Sequence, residues 1–194
     1  WMAGLLLQVG VLASASAQVP ESGTLMVDVK PYVPANMMPR SVAKQLQDGA
    51  LGWGVQDNRL VVSLVNRQFL DFPLDHTTAY GTQESITLPA GEYVVTGVGL
   101  RMVTSENVDI MLKRSAFVNE DVMTLHIEPG KTTTLSINPA IKLDSTLAVN
   151  FWLPTLVARV SNEHGEGRET ALNLRGPDSI AWQHYQGPLK PANP

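Results

Sequence analysis

The chain has 194 residues, 44% of them apolar and 16% charged, with a formal net charge of -4. That balance supports a packed core and excludes an intrinsically disordered chain. No basic surplus or cluster offers itself to a phosphate backbone, and the absence of cysteine rules out disulfides, thiolate metal sites and cysteine nucleophiles.

The first 17 residues read as a signal peptide. "MAGLLLQVGVLASASAQ" holds an apolar run from Ala3 to Ala13 and then small residues ending Ala15-Ser16-Ala17, an A-x-A-like cleavage site. Cutting after Ala17 leaves Gln18 as the mature N-terminus. The run is shorter than the roughly 20 apolar residues that a spanning helix needs, so no transmembrane span is expected in the mature chain. No Lys or Arg precedes the run and Trp1 stands before Met2, which reads as a start inside a longer frame. A periplasmic or extracellular location follows as the expectation.

"TLMVDVK", 24–30, alternates, with Leu25, Val27 and Val29 on one side. "PYVPANMMPR" interrupts regular structure with three prolines, and "SVAKQLQDG", 41–49, is the best helix candidate, between Ser41 as cap and Gly49 as stop. Strand signals then dominate: 59–66, 68–72, 84–88, 92–103, 108–112, 115–118, 121–127, 132–138, 145–152, 155–161, 168–174 and 179–183. Met123, Leu125 and Ile127 share one face, as do Thr133, Leu135 and Ile137. "LPAGEY" and "EPGK" both place Pro and Gly between two such runs, which predicts hairpin turns there. Gly97 and Gly99, on one face of 92–103, mark a bend, a bulge or the close approach of an aromatic. Many short strands without strand–helix alternation predict an all-β fold: an antiparallel β-sandwich, Ig-like or transthyretin-like, with at most one short helix. The sandwich is expected over 18–186, with 187–194, "GPLKPANP", as an extended or disordered Pro-rich tail or, alternatively, a segment packed along an edge.

The segment "I-x-LPAGEY-x-V" followed by "PGK-T-T-x-L-x-I", about residues 84–138, resembles the transthyretin-like and carboxypeptidase regulatory-like β-sandwich modules of exported bacterial proteins. The resemblance implies a non-catalytic module in the envelope or outside the cell, and it carries over no catalytic residue. Some surface modules of this class hold an internal Lys–Asn bond, but Lys30, at a strand end and with no carboxylate and Asn partners to be picked out, reads as a solvated lysine.

Chemistry-bearing motifs are sparse. None of His76, His126, His164 and His184 forms an H-E-x-x-H or H-x-H pair, and "NEHGEGRE", 162–169, reads as a solvated turn sooner than a metal site. Asp75 adjoins His76, but neighbours on a strand point to opposite sides. No G-x-S-x-G elbow and no complete P-loop is present. No metal and no cofactor is expected. Trp53, Trp152, Trp182 and Tyr185 more often fill a sandwich core or cover its ends, but they are also the binding hints, with Trp182 and Tyr185 the candidate ligand-binding pair. The sequence therefore predicts an exported, non-enzymatic protein that binds or assembles in the cell envelope, its partner a protein or envelope component. The alternatives are a carbohydrate or small-ligand binder using exposed aromatics, and an exported hydrolase built from His76, His164 and His184 with nearby acids.

Overall fold

The computed structural model describes residues 21–33, 47–64, 70–100, 108–146 and 149–191, with positions 40 and 44. The fold is all-β, as expected, built from two six-stranded sheets packed face to face. The first sheet runs β11 (Gly165–Glu166), β10 (Val149–Asn162), β9 (Thr132–Thr146), β1 (Ser22–Val29), β6 (Thr82–Pro89), with β12 (Thr170–Ala171) also on β10. The second runs β13 (Ile180–Ala181), β8 (Phe117–Ile127), β7 (Gly91–Gly99), β3 (Arg59–Ser63), β2 (Ala50–Gln56), β5 (His76–Ala79). Pairing is mixed rather than purely antiparallel: β1–β9 and β3–β7 are parallel. Parallel neighbours need long connections, and each of these pairs is far apart in sequence.

The alternating runs build the core. Leu25, Val27 and Val29 of β1, Leu135 and Ile137 of β9, and Leu156 and Ala158 of β10 face inward from the first sheet. Leu51, Trp53, Leu60, Val62, Tyr93, Val95, Leu125 and Ile127 meet them from the second. Burying a side chain of this size contributes roughly 1.5–3 kcal/mol of transfer free energy. A second cluster covers the outer face of the second sheet, where Val61, Val98 and Val118 pack under Phe72, Leu74, Trp182 and Leu189. That cover explains why β7 is buried on both faces from Val95 to Gly99.

The two Pro-Gly turns are not hairpins. β6 and β7 lie in different sheets, and so do β8 and β9, so "LPAG" and "EPGK" are corners that carry the chain across the sandwich. Each corner bonds to the start of β1 rather than closing a ladder. Ala90 N–H donates to Glu21 C=O at 2.8 Å, Gly130 N–H to Ser22 C=O at 2.8 Å, and Thr24 N–H to Lys131 C=O at 2.8 Å. Gly130 sits at φ +68°, where a side chain would be strained. The Tyr93 hydroxyl donates to Pro89 C=O at 2.8 Å and ties the first corner from inside.

Several elements differ from the sequence reading. Residues 108–112 belong to a helix, α1 (Val108–Ser115), whose good helix formers outweigh a short apolar run and whose last turn carries Lys113 and Arg114 against the negative helix end. β2 was missed because Gly52 and Gly54 dilute its strand signal; it joins β3 through Asp57 and Asn58, both at positive φ, the geometry of a tight hairpin. The runs 132–138 and 155–161 extend into the long strands β9 and β10, while the expected strand 145–152 is divided between them, 145–146 ending β9 and 149–152 opening β10 antiparallel to it. At the C-terminus the edge-packing alternative holds for the described residues: β14 (Lys190–Pro191) pairs with β4 (Leu70–Asp71), and Leu189 is 2% exposed. Of the helix expected over 41–49, Lys44 and Gln47 are helical and Asp48 N–H donates to Lys44 C=O at 3.0 Å. Residues 41–43, 45 and 46, like the signal-like stretch 1–17, lie outside the described residues.

Candidate functional site

The corners close one end of the sandwich. At the other end β7 stops, α1 leads into β8, and the sheets leave a cleft of about 450 Å³. Its floor is apolar: Phe117 of β8, Leu100 after β7, Pro154 of β10 and Leu174. Gly99 makes the floor possible, because a Cβ there would meet two Phe117 ring carbons at 2.2 and 2.3 Å. The glycine is where the aromatic comes close, one of the roles its place on the strand suggested. Gly97 has a different duty: the β7–β8 register shifts between Val95 and Gly97, and the Leu172 carbonyl oxygen occupies the place of its side chain.

The far wall is the segment 172–175, and two asparagines hold it. Asn119 Nδ2 donates to the carbonyls of Leu172 and Leu174 at 2.9 and 2.8 Å. Asn173 Oδ1 accepts from Leu156 N–H at 2.7 Å, and its Nδ2 donates to Pro154 C=O at 2.8 Å. Backbone so held gives a pre-formed wall. Two guanidinium groups complete the lining, Arg114 from the end of α1 and Arg175 from the wall. Arg175 Cζ stands 5.7 Å from the Phe117 ring centroid, a cation–π distance. The site is an apolar floor with the Arg175 guanidinium against its aromatic ring. Sequence reading missed it. Arg114 and Arg175 are distant in the chain and converge only by folding, and Gly99 was the one local signal.

The expected aromatic pair sits elsewhere. Trp182 opens a 3-10 helix, 182–184, and is 8% exposed, so its indole belongs to the second core cluster instead of presenting a free face. Tyr185 is half-buried, with rings 6.1 Å from Trp182 at 12°. Its hydroxyl donates to Glu120 Oε1 at 3.1 Å, and Arg59 lies 3.8 Å from the same carboxylate oxygen. Trp53 is wholly buried, and Trp152 pairs opposite Leu143 in the β9–β10 ladder.

The histidines do not converge. The partner of His76 is Glu84 across the β5–β6 turn, at 2.6 Å from Nδ1, and not the adjacent Asp75. Glu84 also accepts from Thr78 at 2.9 Å, Thr78 accepts from Trp53 Nε1 at 2.9 Å, and the Trp53 and His76 rings stack at 4.2 Å. His164 instead meets Glu128 of the second corner at 3.0 Å. His184 is exposed on the 3-10 helix. The acids of "NEHGEGRE" split in two. Glu166 and Glu169 both bind Arg159, at 2.6 and 2.7 Å. Glu163, His164 and Glu128 place donor atoms within 4.8 Å of one another, close enough to hold a metal ion. The Lys131 ammonium already occupies Glu163 at 2.5 Å; that hydrogen bond holds the Glu163 carboxyl below its ordinary range and the lysine above its own. Lys30 pairs with Asp28 at 2.6 Å on the surface.

Among the described residues no helix is long and apolar enough to cross a membrane. Comparison with protein-family models, curated proteins and solved structures found no match to the chain.

Proposed function

We propose that the protein is an exported, non-catalytic β-sandwich that works by binding in the cell envelope, and that the cleft over Phe117 takes an amphipathic anion. The cleft carries the reading. Its volume falls in the range of small-molecule sites, its floor is apolar, and Arg175 supplies a charge that an anionic head group needs. The signal-like N-terminus and the resemblance of residues 84–138 to transthyretin-like modules support the location and the non-catalytic role.

Octanoate and octanol test the cleft, titrated calorimetrically into the full chain. Octanoate binds, octanol binds more weakly, and Arg175→Ala weakens octanoate by about tenfold or more, the worth of a hydrogen bond to a charged group. Equal binding of acid and alcohol, or an unchanged affinity in Arg175→Ala, would refute the anion site. Cell fractionation with N-terminal sequencing checks the location. The expected product is an envelope chain beginning at Gln18; a cytoplasmic chain that retains residues 2–17 would overturn export.

A further inference from the structure

The corner end of the sandwich, away from the cleft, gathers metal-ligating side chains from both sheets. Glu128 follows β8 of the second sheet, in the corner that leads to β9. Glu163 and His164 form the turn between β10 and β11 of the first. That turn is held by its own backbone: Asn162 pairs opposite Gly165, which takes φ +133°, and His164 N–H donates to Asn162 Oδ1 at 2.9 Å. The imidazole then reaches Glu128, 36 residues earlier in the chain.

Three donor atoms converge there. His164 Nε2 stands 3.0 Å from Glu128 Oε1 and 3.9 Å from Glu163 Oε1, and donor atoms of all three residues lie within 4.8 Å of one another. Bonds of about 2.0–2.2 Å from one ion to nitrogen and oxygen set neighbouring donors roughly 3–3.6 Å apart, so an ion fits with side-chain shifts of about 1 Å. The side chains have room for such shifts, since Glu163 and His164 are exposed and Glu128 is half-buried. The charge also calls for a cation. With an uncharged imidazole, the two carboxylates exceed the Lys131 ammonium by one negative charge, and Lys131 bonds Glu163 through Oε2, which leaves Oε1 for a metal. Glu166 and Glu169 do not compete, because both are bound to Arg159.

We propose that Glu128, Glu163 and His164 bind one divalent ion of the zinc class, which clamps the β10–β11 turn to the corner after β8 and so ties the two sheets at this end. One imidazole nitrogen with two carboxylates suits zinc and its transition-metal neighbours, whereas calcium takes more oxygens and magnesium keeps a shell of water. The rest of the ion's coordination faces solvent, where water completes it. Lys131 and the ion share one carboxylate, so the lysine weakens the site without filling it. No residue of the cleft takes part, so the two assignments stand or fall separately.

Zinc chloride and magnesium chloride, titrated calorimetrically into the full chain without an affinity tag, test the site. One zinc ion binds per chain, and magnesium binds far more weakly. His164→Ala and Glu128→Gln each weaken zinc by at least about tenfold, the scale of losing even an indirect support of a metal. His184→Ala, at an exposed histidine outside the cluster, leaves zinc binding unchanged. Lys131→Gln tightens it by about fivefold, the effect of removing one unit charge some 4 Å away in water. At roughly a hundred times its Kd, zinc raises the melting temperature by about 5–10 °C, and His164→Ala abolishes that rise. The proposal fails if zinc does not bind, or if His164→Ala and Glu128→Gln bind it as the parent chain does. It also fails if His184→Ala weakens zinc as much as His164→Ala, or if Lys131→Gln weakens it.

Discussion

Tyr32 and Tyr185 are where single residues leave a readable signature. Burial, with Tyr80 nearby, pushes Tyr32 from the ordinary 10.0 up to about 12. Burial first, and the Glu120 charge second, push Tyr185 to about 12 as well. Burial favours the neutral phenol, so between these values the unfolded chain has lost protons that the folded chain retains. Stability from these groups is therefore fully present below pH 10 and is lost as pH rises through about 12. Denaturant midpoints measured with phenolate absorbance should stay level to pH 10 and then fall, less steeply in Tyr32→Phe. A flat profile across that window would contradict the burial of both rings. At this scale the sequence was partly legible. Gly99 offered an aromatic contact as one of three readings, beside a bend and a bulge, because a missing side chain is visible in the sequence. The His76 partner was not visible as a neighbour, because Glu84 reaches it only after the chain turns at Tyr80 and Gly81.

Among the elements, the C-terminal strand carries the sharpest consequence. "GPLKPANP" has no periodicity, and prolines cannot complete a ladder, so it reads as a tail. Leu189 nevertheless seals the outer face of the second sheet beside Phe72 and Trp182, and Lys190 pairs with Asp71. Leu189→Ala should lower the unfolding free energy by about 2–4 kcal/mol, as cavity-creating core substitutions do, measured by urea denaturation. A loss below about 0.5 kcal/mol, the size of a surface change, would mean that the tail is detached. One apolar residue suffices to dock a short segment, and no periodic pattern can report a single residue. α1 teaches the converse: a five-residue stretch with four apolar residues suits strand or helix, and the context of 108–115 decides.

Across the whole molecule, the sequence by itself determined the class of fold and the facing of its strands. Alternation at Leu25, Val27 and Val29, or at Leu135 and Ile137, names the buried face because strand side chains alternate whatever the partner. It also located the two Pro-Gly corners, whose backbone geometry is local. Only the tertiary structure decided that each corner leaves its sheet, that β1 lies parallel to β9, and that Trp182 is covered. The same holds for the cleft. Arg114 and Arg175 come to line it, with Arg175 over Phe117, through contacts between segments far apart in the chain. Such contacts form to bury apolar surface, which is nondirectional, so the sequence states how much there is to bury and the packing chooses what meets what.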